Sequence, residues 1–177
     1  MRMETTNKPE VMIAEKDIEK KLRELADRIN NDYKGERLIV IGILKGSFMF
    51  LSDLVKLLEL DTEVYFMKAS SYGSGTSTSG TVKITTDIDR DIKGENVLIV
   101  EDIIDSGFTM REVRKILTGR EPKSLRLCSC LSKPSRRECE VDIEYLGFEI
   151  PDEFVVGYGL DYAEKYRNLP YIGMIKG

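Results

Sequence analysis

Asn96-Val-Leu-Ile-Val-Glu-Asp-Ile-Ile-Asp-Ser-Gly-Phe-Thr109 is the stretch on which the whole chain turns. Val97 to Val100 are aliphatic without a break, the pattern of a strand buried on both faces of a parallel sheet. Glu101, Asp102 and Asp105 follow at once. Ser106, Gly107 and Thr109 then open a helix carried by Met110, Val113, Ile116 and Leu117. Ligands of open α/β sheets bind beyond the carboxyl ends of the strands. A small polar loop running into a helix N-terminus offers unpaired N–H groups and a positive dipole end, which attract phosphate. The loop therefore carries two opposite chemistries: its backbone suits an anion, and its carboxylates suit a metal ion or sugar hydroxyls. A ligand with a phosphate and a hydroxyl-bearing ring uses both. The plainer reading makes the acids solvated and Ser-Gly a helix cap. The clustering of all three acids at a strand end before Ser-Gly weighs against it.

The same stretch, Val100 to Thr109, resembles the phosphoribosyl-pyrophosphate (PRPP) motif of purine phosphoribosyltransferases, and among them of the hypoxanthine-guanine phosphoribosyltransferases. The resemblance runs from about Val11 to Gly173 with the motifs in order. It implies an α/β chain of the type I phosphoribosyltransferase fold, with a central, mainly parallel sheet flanked by helices. One domain would span residues 1–177, with a small hood from about 1–14 and 133–177 and a flexible active-site loop at about 70–81. The implied activity belongs to purine salvage: the 5-phosphoribosyl group passes from PRPP to hypoxanthine or guanine, giving IMP or GMP and pyrophosphate. The implied cofactor is Mg2+, and a homodimer or homotetramer is expected.

Working outward, Arg37 to Leu44 is a second aliphatic run typical of a parallel-sheet centre, followed by Lys45-Gly46-Ser47 and a helix through Phe50, Leu51, Leu54, Val55 and Leu58. Spacing alone leaves Lys45 and Gly46 as either a surface turn or a ligand loop. The resemblance makes Leu44-Lys45-Gly46 a pyrophosphate-binding loop with a cis Leu44–Lys45 peptide. Glu63 to Ala69 and Val82 to Thr86 read as strands joined by a Ser/Gly-rich stretch, Ser70 to Ser79, too polar to bury a core. Such a loop is either a lid or an idle hairpin tip. Ser71-Tyr72 resembles the family's lid pair, which would exclude water from an activated ribose.

Ser124 to Leu131 is a further strand, ending in Ser132-Lys133-Pro134-Ser135-Arg136-Arg137. A basic cluster there is ordinarily solvated. By resemblance, Lys133 recognises the purine's 6-oxygen, and a charged donor would select 6-oxopurines over adenine. In Phe154 to Tyr162, the resemblance makes Phe154 a stacking partner of the purine and Val155 a backbone partner of its edge. Asp161 would hold a second Mg2+ or flank the base. Composition alone would place Phe154 in the core. Arg167 matches the family arginine that grips pyrophosphate. The resemblance further assigns the ribose hydroxyls and Mg2+ to Glu101 and Asp102, and the 5′-phosphate to Ser106, Gly107, Phe108 and Thr109. Phe108 stands at the motif's variable position.

With no His in 177 residues, triads, His zinc sites and a His base are excluded, and Asp105 is the expected general base at purine N7. Cys128, Cys130 and Cys139 lack metal spacing and read as reduced thiols, which points to the cytoplasm. A net charge of −4 argues against a nucleic-acid partner. The longest aliphatic run is too short for a membrane span, and Met1 to Lys8 has no apolar leader core. Gly42 to Ser47 lacks the Walker spacing, which removes a nucleoside triphosphatase. A PRPP-sensing regulator on the same fold is the alternative function, and it would need a basic face or an added domain.

Overall fold

The computed structural model describes residues 8–71 and 82–175, with Ser70 and Ser71 described by their backbone alone. The aliphatic runs are strands. β1 (Glu10–Ile13) precedes α1 (Glu15–Asp32), and β2 (Arg37–Ile43) precedes α2 (Phe48–Val55). Then come β3 (Asp61–Ser71), β4 (Val82–Thr86), β5 (Asn96–Ile104), α3 (Phe108–Thr118), β6 (Ser124–Ser132) and β7 (Tyr145–Glu149). β8 (Val155–Val156) and β9 (Ile172–Met174) end the described chain. The large sheet has the order β4-β3-β2-β5-β6-β7, and all its pairings are parallel except that of β3 with β4.

The central strands are apolar throughout because both of their faces are covered. Leu38, Val40, Leu98 and Val100 pack with the buried stripe of α1 (Ile18, Leu22, Leu25, Ala26 and Ile29) and with Phe50, Leu51 and Leu54 of α2. Ile39, Ile41, Val97 and Ile99 turn the other way, against Met110, Val113 and Leu117 of α3. Strand period two thus feeds two cores, and each fully buried aliphatic side chain contributes roughly 1.5–3 kcal/mol.

This layering positions the site. From β2 the chain passes through α2 outward to β3, and from β5 through α3 outward to β6 on the other side. Parallel crossovers are right-handed, so opposite directions put α2 and α3 on opposite faces. The carboxyl ends of β2 and β5 consequently part into a crevice, the ligand position of such sheets.

β5 is longer than its aliphatic run. It continues through Glu101 to Ile104 because β6 still offers partners, Glu101 to Ser129, Ile103 to Leu131 and Ile104 to Ser132. Glu101 and Asp102, expected in a loop, are therefore set in the end of a strand. β1, β9 and β8 form a separate antiparallel sheet that joins the two ends of the chain. Its Ile13, Val155 and Ile172 share the core of α1 and α2. Within the range 133–177 expected for the hood, β7 pairs with β6 in the large sheet. Tyr145 of β7 is buried in the same core as Cys128 and Cys130, and a Cβ on Gly147 would overlap the Cys130 carbonyl, so close packing holds this strand in place. Among the described residues, no helix is long and apolar enough to cross a membrane.

Candidate active site

A cleft of about 280 Å³ opens at the end of β5, lined by Glu101, Ile103, Ile104 and Asp105 with Ser106, Gly107, Thr109 and Met110. Gly107 is the N-cap of α3 at φ +90°, and no side chain caps that end. The left-handed turn needs Gly, and a Cβ there would also press on Val141 and Cys139. The Ser106 carbonyl accepts from the N–H groups of Glu138 (3.0 Å) and Cys139 (3.2 Å). The loop's carbonyl side is thus tied to the protein, while the first-turn N–H groups of α3 have no intrahelical partner. Phe108 lies under the Arg111 guanidinium, 5.1 Å from ring centre to cation.

Arg137 holds the other flank of this loop. It donates to the carbonyls of Asp105 (3.1 Å) and Ile104 (3.4 Å) and to the Ser132 hydroxyl (2.7 Å). Sequence reasoning saw only a basic cluster after β6, and nothing local marks which of its cations reaches back to β5.

Glu101 and Asp102 are neighbours in the end of a strand, and their carboxyl groups still reach each other. Glu101 is buried and lines the α3-side cleft. The Asp102 carboxylate lies against Gly46, so close that a Cβ on Gly46 would fall onto it. Each carboxylate also accepts one main-chain N–H, Glu101 from Asp102 (2.9 Å) and Asp102 from Ile103 (2.7 Å). Burial pushes the Glu101 carboxyl well above the usual range, and the neighbouring Asp102 charge adds to it. Burial raises Asp102 as well.

The Leu44–Lys45 peptide is cis, as the resemblance implied. Gly159, at φ +100°, packs on this loop so tightly that a Cβ would overlap the Gly46 carbonyl. Arg167 donates to the Gly159 carbonyl (2.8 Å) and pairs with Asp161 (3.0 Å) and Glu164 (3.0 Å). Glu164 also pairs with Lys45 (3.0 Å). The structure thus brings Lys45 and Arg167 together on Glu164, which the sequence did not single out, and sets Gly46 against Gly159. Asp161 shares the Arg167 guanidinium with Glu164, and among the described residues no three acidic, Cys or His groups converge as a metal cluster.

On the opposite side of the loop, Lys133 directly follows β6. Its N–H donates to Ile104 (3.0 Å) and its ammonium lies 3.7 Å from Asp105 and 3.9 Å from Asp152. Phe154 is 51% exposed, which corrects the core placement that composition alone favours. Tyr162 meets it edge-on at 5.6 Å. Val155 is buried in β8 and pairs with Met174. Of the expected lid, the Ser71 side chain and Tyr72 lie outside the described residues.

This chain resembles proteins of known kind along most of its length. It is 57% identical over 168 residues to the hypoxanthine phosphoribosyltransferase of Escherichia coli K12, with 94% of each chain covered. The crystal structure of a hypoxanthine-guanine phosphoribosyltransferase from Bacillus anthracis superposes with a TM-score of 0.91 at 48% identity, covering 94% of this chain and 98% of that one. A hypoxanthine phosphoribosyltransferase structure from Staphylococcus aureus gives a TM-score of 0.91 at 46% identity, with 94% and 91% covered. Residues 12–163 match the phosphoribosyl transferase domain, and the chain belongs to that family, on its hypoxanthine-guanine phosphoribosyltransferase branch.

Proposed function

We infer that this chain transfers the 5-phosphoribosyl group from PRPP to hypoxanthine or guanine, releasing IMP or GMP and pyrophosphate. The observation that carries this reading is the cleft at the end of β5. It sets the phosphate-type loop 105–109 and the buried Glu101 around one space at the sheet's switch point. The main-chain N–H groups and hydroxyls of Ser106 and Thr109 hold the 5′-phosphate. Phe108 supplies main chain there and keeps its ring under Arg111.

Glu101 and Asp102 fit a divalent cation: both are raised by burial, and carboxylate oxygens are the hard donors Mg2+ takes. They and the ribose 2′- and 3′-hydroxyls would hold it, and Asp161 would serve a second ion. When bound, Mg2+ neutralises the departing pyrophosphate and orients the ring hydroxyls. Lys45, Gly46 and Arg167 receive the pyrophosphate, whose loosening leaves oxocarbenium-like charge on the ribose. Phe154 stacks on the base, the Val155 main chain bonds its edge, and Lys133 donates to its 6-oxygen. Asp105 takes the proton at N7.

The chain works as one domain, the small sheet serving as hood, with free purines and PRPP as its partners and no nucleic acid or membrane. Its three thiols are free, two of them buried, which suits a reducing cytoplasm. A homodimer or homotetramer is the proposed assembly.

A spectrophotometric assay with hypoxanthine, PRPP and Mg2+ tests the reading, with formation of IMP and pyrophosphate expected. PRPP binding without nucleotide formation would leave a sensing role instead. A second expected result concerns the loop. Arg137→Ala strips a charged donor from the Ile104 and Asp105 carbonyls, worth about 1.5–3 kcal/mol. The KM for PRPP should rise roughly tenfold or more, with the KM for hypoxanthine less affected. Wild-type KM values would show that the loop holds its shape without Arg137.

A further inference from the structure

Glu164 sets a carboxylate on both cations of the proposed pyrophosphate grip, beside Asp161, which shares Arg167 Nη2 at 3.0 Å. The two Glu164 oxygens are divided between two cations, Oε1 on Lys45 Nζ at 3.0 Å and Oε2 on Arg167 Nη2 at 3.0 Å. Lys45 comes from the loop after β2, and Glu164 and Arg167 come from the turn after β8. A diphosphate gripped by the same two cations would present its oxygens in the same bridging manner.

The backbone adds an independent observation. Tyr162 and Lys165 bond each other's main chains, Tyr162 N to Lys165 O at 3.1 Å and Lys165 N to Tyr162 O at 3.0 Å. The two residues between them, Ala163 (φ +51°) and Glu164 (φ +64°), are both left-handed. Such a primed turn strongly favours Asn or Gly, and an L side chain there is strained. Glu164 is 65% exposed, so no core packing compensates. What compensates is polar: the Glu164 N–H donates to Asp161 Oδ2 at 2.8 Å, and the carboxylate takes the two cations.

We propose that Glu164 is a resident anion that occupies the pyrophosphate grip and competes with pyrophosphate for Lys45 and Arg167. The proposal rests on the reading of those two cations as the pyrophosphate site. A pyrophosphate group that enters must displace the carboxylate, and the carboxylate returns as the product leaves. Glu164 thus weakens product binding and keeps two like charges paired in the free enzyme, at the cost of some PRPP affinity.

The test is steady-state product inhibition by pyrophosphate, in wild type and in Glu164→Gln, which keeps the shape and removes the charge. The pyrophosphate inhibition constant should fall about fivefold, the factor equivalent to ~1 kcal/mol of exposed ion pairing. The KM for PRPP should fall in the same direction and the KM for hypoxanthine should stay. A merely structural role would weaken binding rather than tighten it. Glu164→Gly guards the fold, since it removes the carboxylate while relieving the left-handed strain, and it should tighten pyrophosphate with no loss of melting temperature. Unchanged or weaker pyrophosphate inhibition in both variants overturns the proposal. Lys45→Met separates it from the underlying reading. Weaker pyrophosphate inhibition in Lys45→Met is expected, and wild-type inhibition there would overturn the pyrophosphate site and the competition together.

Discussion

Asp105→Asn should lower turnover by about 10²–10⁴-fold while PRPP still binds, the range that a lost general base produces. The Asp105 carboxylate projects at the mouth of the cleft, and its carbonyl is pinned by Arg137 at 3.1 Å. The Lys133 ammonium lies 3.7 Å away, so the proposed base and the proposed 6-oxygen donor flank the same edge of a purine. Asn keeps the size and leaves that backbone bond intact, so the loop should hold its phosphate. The chain has no His to substitute. Turnover of nucleotide measured beside equilibrium PRPP binding checks this. Unchanged turnover removes Asp105 from the role, and lost binding would make it a loop residue.

Gly159→Ala carries the largest expected structural effect outside the β5 loop. The added Cβ would overlap the Gly46 carbonyl, a backbone atom that cannot rotate away, at a residue already at φ +100°. Left-handed strain alone costs about 1–2 kcal/mol, and the overlap comes on top. Gly94→Ala is the control, because Gly94 has φ +73° and nothing within 4 Å of a Cβ, so it should lose only the strain. Thermal melts should therefore fall further for Gly159→Ala than for Gly94→Ala. The KM for PRPP should rise at least tenfold in Gly159→Ala alone, because the Lys45-Gly46 loop must shift. Equal effects in the two variants would show that the β2 loop has room to move.

The Val97–Val100 and Arg37–Leu44 runs revealed the parallel sheet because a strand covered on both faces must be apolar at every position. The α1 stripe was equally readable, as Ile18 to Ile29 repeats with helical period. The phosphate-type loop was legible because Gly107 before an amphipathic segment marks the start of α3, an end left open by any side-chain cap. The end of β5 was not legible. Acidic residues look like loop, yet the ladder from β6 carries the strand to Ile104. Phe154 was ambiguous for a related reason, since an aromatic residue reads the same whether it faces a core or a ligand.

Amino-acid order alone thus determined the fold class, the order of the strands and helices along the chain, and the loop that opens α3. These follow from periodicity and turn chemistry within a few residues, which any local stretch carries. Only the tertiary structure decided that Asp102 turns to Gly46 while Glu101 turns to the cleft, that Arg137 clamps the β5 loop, and that Glu164 bridges Lys45, 119 positions away, to Arg167. Polar side chains find such partners through the stacking of whole layers, and no spacing along the chain encodes a distance across them.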